Sequence, residues 1–284
     1  MRRLAAVIGS PVAHSLSPVI HQAAFDAAGV DWSYVPFEVA PGSGAAAVEA
    51  MRTLGIAGLS VTMPHKADVF AAVDRVDVAA RALRSVNTVA WEGSGLVGSS
   101  TDGAGFVASL AEHGVDVADA TVAVLGAGGA ARSLVDALDR ARVAEILVVN
   151  RSADRAGEAA ALSGRARVAA VDDVTIADIV VNATSVGMGV PAGPVDDPDG
   201  DDVSDMPSDP RLLQPGQIAV DLVYHPLQTR WLAAAAARGV RTIDGLGMLV
   251  HQAALQQLAW LGTLPDVAVM RAAAETALAA RAVG

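Results

Sequence analysis

The chain has 284 residues, room for about two domains, and sets 20 Lys and Arg against 31 Asp and Glu, a formal net charge of −11. So acidic a chain is ill suited to gripping nucleic-acid phosphates or an anionic membrane surface, and no run approaches the roughly 18 unbroken large apolar residues of a membrane-spanning helix. With no Cys, disulfides, thiolate metal sites and thiol nucleophiles are excluded.

Leu4–Ile8 reads as a buried strand ending at Gly9-Ser10-Pro11. It is too short for the apolar core of a secretory leader, so a cytoplasmic protein is expected. Ser17-Pro18 reads as an N-cap followed by proline in the first turn, opening a helix toward Gly29. Trp32–Val39 is a strand and Ala45–Leu54 a helix. Leu59–Thr62 is a short strand, after which Pro64 opens another helix. Val86–Trp91 and Leu96–Ser99 flank Glu92-Gly93-Ser94-Gly95 as a hairpin. Strands follow at Thr121–Leu125, Glu145–Val149, Arg167–Val171, Asp178–Asn182, Ile218–Asp221 and Arg241–Ile243, mostly separated by helical stretches. That alternation predicts a parallel sheet covered by helices on both faces. Met248–Leu261 has apolar residues at helical spacing, and an Ala-rich helix runs on to about Ala282. Between Asp196 and Asp209 lie seven Asp with no Lys or Arg, the composition of a solvated, mobile loop; the spacing of a Ca²⁺ loop is missing.

Two patterns carry chemistry. Thr121–Leu125 runs into Gly126-Ala127-Gly128-Gly129-Ala130-Ala131 and then a helical stretch. This is a dinucleotide fingerprint in its strand–turn–helix setting, with the pyrophosphate expected at the helix N-terminus. The next strand ends in Asn150-Arg151-Ser152, with Arg155 one turn on. No acid stands there to hold a ribose 2′-hydroxyl, and guanidinium groups suit a 2′-phosphate, so NADP is expected over NAD. The other pattern is a set of polar clusters at strand ends: Ser15-Leu16-Ser17-Pro18, Thr62-Met63-Pro64-His65-Lys66, Ser85-Val86-Asn87-Thr88 and Ser100-Thr101-Asp102-Gly103. Strand ends of an open α/β sheet converge on one crevice, and these groups suit a small polyhydroxylated anion. Lys66 is the one Lys beside 19 Arg, an amine where the chain otherwise uses groups that never lose their proton.

These segments, with Asn182–Met188, Asp221–Tyr224 and Asp244–Gln252, resemble in kind and order the motifs of the shikimate dehydrogenase family over residues 9 to 260. The resemblance implies NADPH-dependent reduction of 3-dehydroshikimate to shikimate, in the pathway to chorismate and the aromatic amino acids. It implies Lys66 and Asp102 as the catalytic pair. Ser15, Ser17, Thr62, Asn87, Tyr224 and Gln252 would contact or border the substrate. Gly126, Ala127, Gly128, Gly129, Ala130, Asn150, Arg151, Ser152, Arg155, Asn182, Ala183, Thr184, Ser185, Val223, Gly245 and Met248 would line the cofactor. Ser100 stands where the family usually has Asn, and His225 where it commonly has Asn. Neither replaces a residue assigned to chemistry.

The expected fold is α/β in two domains. Residues 1–102 with 245–284 would form an N-terminal α/β substrate domain onto which the C-terminal helices pack back, and 103–244 a doubly wound Rossmann-type NADP domain. The reaction then belongs in a cleft between them. No metal is expected, and the partners are a small substrate and either no second subunit or one identical copy. The alternatives are an NAD-dependent quinate/shikimate dehydrogenase, which would favour an acid near Asn150, and a non-catalytic NADP-binding sensor, which would be expected to lack Lys66 or Asp102.

Overall fold

The computed structural model describes residues 2–190 and 203–283. They divide into two compact units, Met1–Gly105 with Val250–Gly284, and Phe106–Leu249. In chain order the elements are β1 (Arg3–Gly9), α1 (Ser17–Ala27), β2 (Trp32–Glu38), α2 (Gly44–Leu54), β3 (Gly58–Val61), α3 (Lys66–Ala72), β4 (Arg75–Val76), α4 (Val78–Leu83), β5 (Thr88–Glu92), β6 (Gly95–Ser99) and α5 (Asp102–Glu112). Then come β7 (Thr121–Leu125), α6 (Gly129–Arg140), β8 (Glu145–Val149), α7 (Ala153–Ala160), β9 (Ala166–Val168), β10 (Ile179–Asn182), β11 (Ile218–Asp221), α8 (Arg230–Ala237), β12 (Arg241–Ile243), α9 (Leu246–Leu261) and α10 (Val267–Val283).

Among the described residues the first unit holds a mixed six-stranded sheet in the order β2-β1-β3-β5-β6-β4. β1 pairs in parallel with β2 and β3, while β5 runs antiparallel to both β3 and β6. Alternate β1 side chains feed opposite cores. Ala6 and Ile8 join Val48, Met51 and Val69 from α2 and α3, and Ala5 and Val7 join Phe25, Trp32 and Tyr34. A strand covered on both faces reads as one apolar run, as Leu4–Ile8 does. Helix α10 packs on α1 within this unit.

The second unit holds a six-stranded sheet in the order β12-β11-β10-β7-β8-β9, parallel throughout. Val122 and Val124 face Leu134 and Leu138 of α6, while Ala123 and Leu125 face Trp231, Leu232 and Ala235 of α8. The order reverses direction at β7, the first strand of the unit, which leads into the glycines; this is the switch point at which such sheets bind ligands.

Several local expectations change. Leu16, not Ser17, occupies the N-cap position of α1, and the Ser15 hydroxyl accepts from the Ser17 amide at 3.2 Å. The helix expected at Pro64 starts at Lys66, because residues 63–65 form a turn. The strand expected over Arg167–Val171 stops at Val168, and Val171–Ile176 winds as a 3₁₀ turn. Seven Asp were expected in one solvated, mobile loop. Residues 196–202 of it lie outside the described residues, and its remainder is tied down. Asp205 pairs with Arg230 at 2.6 Å, and Asp209 caps the 3₁₀ turn Pro210–Leu212 while pairing with Arg211 at 2.8 Å.

Candidate active site

The edge of the first sheet at the carboxyl ends of β1, β3 and β6 is also the amino end of β5, since Ser60, Thr88 and Ser99 share one register line. Four polar segments therefore leave the sheet together: Ser15 and Ser17 after β1, Thr62 to Lys66 after β3, Asn87 just before β5, and Ser100 to Asp102 after β6. Backbone bonds knit them. The Thr62 amide donates to Ile8 O at 2.9 Å, the Val61 amide to Asn87 O at 2.8 Å, and the Asn87 amide to Ser99 O at 3.0 Å.

Lys66 is the first residue of α3 and Asp102 the first of α5. Lys66 Nζ donates to Asp102 Oδ2 at 2.6 Å. Their side chains are 28% and 15% exposed, so the pair is less screened than a surface ion pair. Asn87 completes the unit. It is 2% exposed and donates from Nδ2 to Asp102 Oδ1 at 2.7 Å and to Thr101 Oγ1 at 2.9 Å. Its Oδ1 accepts from the Thr101 amide at 2.9 Å and the Thr88 hydroxyl at 2.8 Å. An amide has two donors and two acceptor positions, and all four of Asn87's are spent on the protein. Asp102 is thus held by an amine on one oxygen and an amide on the other. Thr101 Oγ1 also donates to Gln252 O on α9 at 3.1 Å. That close approach needs Gly105, where any side chain would collide with the Gln252 backbone. Neighbouring His65 is fully buried and donates from Nε2 to Val39 O at 2.9 Å, a structural role.

The second unit supplies the glycines. Gly126 has φ +116°, which L side chains rarely adopt, and a Cβ there would lie 3.1 Å from Ala183 O. At Gly128 and Gly129 a Cβ would meet nothing within 4 Å, and both residues are exposed, which leaves the main chain opening α6 approachable. After β8, Ser152 caps α7 through the Arg155 amide, and Asn150 Nδ2 donates to Ser152 O at 3.0 Å. Arg151 and Arg155 are exposed, and neither guanidinium pairs with a carboxylate among the described residues. These features fit a dinucleotide carrying a 2′-phosphate.

Asn182 ends β10 fully buried. It accepts from the Thr184 amide and hydroxyl, and donates to Val186 O and to Asp221 Oδ1 at 2.9 Å. Ala183, Thr184 and Ser185 form the loop it organises. Asp221, also fully buried, accepts from the Val223 amide at 2.9 Å and the Thr229 hydroxyl at 2.8 Å. Burial pushes its carboxyl up to about 6 against the opposition of those donors. Val223 is buried, at 1% exposure. Gly245 lets the Leu222 and Val223 carbonyls come so close that any Cβ would overlap them. Met248 packs half-buried against the same core, and Tyr224 is half-buried in this unit.

Sequence reasoning missed Gly105 and the buried Ser60, His21 and Gln256 as contributors; Thr101 and Asp221 stood within its motifs but were given no role of their own. Gln256 carried a readable signal, a polar residue one turn beyond Gln252 on the same face of a mostly apolar helix.

Residues 7–89 match the family described as "Shikimate dehydrogenase substrate binding domain", 109–188 "Shikimate / quinate 5-dehydrogenase", and 245–275 "Shikimate 5'-dehydrogenase C-terminal domain". A relative from Moorella thermoacetica named shikimate dehydrogenase (NADP(+)) is 42% identical, over 94% of this chain and 90% of its own. One of the same name from Acidiphilium cryptum is 44% identical over 96% of each chain. The crystal structure of Thermus thermophilus shikimate 5-dehydrogenase in complex with NADP(H) and shikimate is similar at a TM-score of 0.86 and 35% identity, covering 97% of this chain and 99% of that one.

Proposed function

The chain belongs to the shikimate dehydrogenase family, and from that premise we propose that it interconverts 3-dehydroshikimate and shikimate with Lys66 and Asp102 as its catalytic pair. It is an NADP-dependent oxidoreductase acting on a CH–OH group. The observation that carries the assignment of roles is the 2.6 Å contact between its one Lys and Asp102, with Asn87 bonded to the other carboxylate oxygen.

When bound, NADPH would supply the hydride in reduction and NADP⁺ would accept it in oxidation. Reduction leaves negative charge growing on the carbonyl oxygen, and that charge requires a proton or a strong donor. The Lys66 ammonium provides it; in the oxidising direction the neutral amine removes the hydroxyl proton. Asp102 is a positioned acceptor that fixes the amine, and the Asn87 amide prevents the carboxylate from turning away. Because Asn87 spends its side chain on Thr88, Thr101 and Asp102, we assign it to holding this pair. Substrate hydroxyls and carboxylate are left to Ser15, Ser17, Thr62, Gln252 and Tyr224. Gly126, Ala127, Gly128, Gly129 and Ala130 would hold the pyrophosphate, and Arg151 with Arg155 the 2′-phosphate. Asn150 and Ser152 shape that turn. The Asn182–Ser185 loop, Val223, Gly245 and Met248 would lie along the rest of the dinucleotide.

Absorbance of NADPH formed from NADP with shikimate tests the reading. Turnover with shikimate and NADP is expected to exceed that with quinate or with NAD. Preference for quinate and NAD would establish the quinate-type enzyme instead. No turnover with either substrate would overturn the assignment.

A further inference from the structure

Helix α9 carries Gln252, Gln256 and Gln257 at 9%, 3% and 0% exposure, an unusual concentration of amides in a core. Gln256 spends its whole hydrogen-bonding capacity. Its Oε1 accepts from the Ser60 hydroxyl at 2.6 Å and lies 3.1 Å from His21 Nε2. Its Nε2 donates to Gln252 Oε1 at 3.0 Å and to Asn87 O at 3.3 Å.

The direction of this chain is dictated by two main-chain carbonyls, which can only accept. The Gln257 atom 3.1 Å from His21 O must be its nitrogen, and that same nitrogen lies 3.2 Å from His21 Nδ1. His21 Nδ1 therefore accepts, the proton sits on Nε2, and Nε2 donates to Gln256. Independently, the Gln256 atom facing Asn87 O must be its nitrogen. Both routes turn Gln256 the same way. Ser60 then donates to Gln256, and the Tyr34 hydroxyl donates to Ser60 at 2.7 Å. Burial keeps the His21 ring neutral, its pKa drawn down to about 3 despite the bond to Gln256, and the ring stacks on Tyr34 with centroids 4.3 Å apart.

We propose that Gln256 is a positioning residue that fixes Gln252 as a hydrogen-bond donor to the substrate. With its oxygen committed to Gln256, Gln252 offers nitrogen to its ligand. The substrate group it selects is an acceptor oxygen, a carboxylate or carbonyl, or a hydroxyl through its lone pair. The inference rests on the reading of Gln252 as a substrate ligand.

Gln256→Glu keeps the side chain's size and the acceptor used by Ser60 and His21, but removes the donor. Gln252 then turns its nitrogen inward and presents oxygen to an oxygen. KM for shikimate is expected to rise about tenfold or more, the equivalent of one lost hydrogen bond of about 1.4 kcal/mol. The kcat and the KM for NADP should stay within about twofold. Gln252→Ala is expected to raise KM similarly, and the double variant no further than Gln252→Ala alone. Where Gln256→Glu does not fold, Gln256→Met runs the same cycle. If Gln252→Ala leaves KM unchanged, the substrate role of Gln252 fails and the inference falls with it. If Gln252→Ala raises KM but Gln256→Glu does not, or if the two effects multiply, the ligand reading survives and the positioning role is overturned.

Discussion

Removing the amine at Lys66 leaves Asp102 still held by Asn87, so the loss falls on proton transfer more than on architecture. Lys66→Ala is expected to lower kcat by about 10²- to 10⁴-fold, the usual share of a general acid–base group. NADP affinity, measured separately by fluorescence titration, should be nearly unchanged, since the amine and the glycines lie in different units. Near-normal kcat in the folded variant would remove Lys66 from the mechanism. Arg151 is the residue proposed for the nucleotide side. A charge-assisted contact contributes about 1.5–3 kcal/mol, so Arg151→Ala should raise KM for NADP roughly tenfold or more. KM for NAD should change little and kcat at saturation be retained. A parallel rise for both cofactors would make Arg151 structural. The types of these side chains were legible in the sequence, because an isolated Lys and an arginine at a strand end stand out by composition and position. What Asn87 does was not legible. Only the bond from Thr88 is local; the other three depend on Thr101 and Asp102, which follow β6, arriving beside the start of β5.

Among the elements, strands β7, β8 and β11 coincide with the stretches read from the sequence, since burial on both faces writes a nearly unbroken apolar run; β12 coincides as well, although it is an edge strand with only Ile243 buried. The β4–α4 stretch went unread because two and six residues are too few to establish a period. The displaced start of α3 has a similar cause: Pro64 marks a turn as readily as a first helical turn. The ends of β10 and β11 carry a testable consequence. A native carboxyl that keeps its proton up to about 6, against 3.8 for free Asp, contributes stability that is full below the unfolded pKa. That contribution disappears as pH rises from about 4 through 6. Asp221→Asn keeps an acceptor for Val223 and Asn182 and has no charge to bury. Its stability relative to the parent should therefore rise between pH 4 and pH 7, by up to about 3 kcal/mol for a shift of about two units. Denaturant titrations of both proteins across that range measure it. A constant difference would show that Asp221 is ionised without penalty.

At the scale of the whole molecule, each unit has its own sheet and its own cores, so each ligand is expected to stabilise the fold through a different unit. A ligand at a hundredfold excess over its Kd contributes about 2.7 kcal/mol. Melting curves with NADP alone and with shikimate alone should each shift upward. Arg151→Ala should blunt the first shift and spare the second; loss of both would tie the two sites together more tightly than separate cores imply. Composition reaches this scale as well. Nineteen of the chain's twenty Lys and Arg side chains are guanidinium groups, and acylating reagents selective for amines pass over those. Apart from a terminal amine, the only group such a reagent can modify is Lys66, held against Asp102. The chain thus has a single side-chain address for amine labelling: mass added to the peptide that carries Lys66 reports modification of that residue directly, and no other ε-amine competes for the reagent.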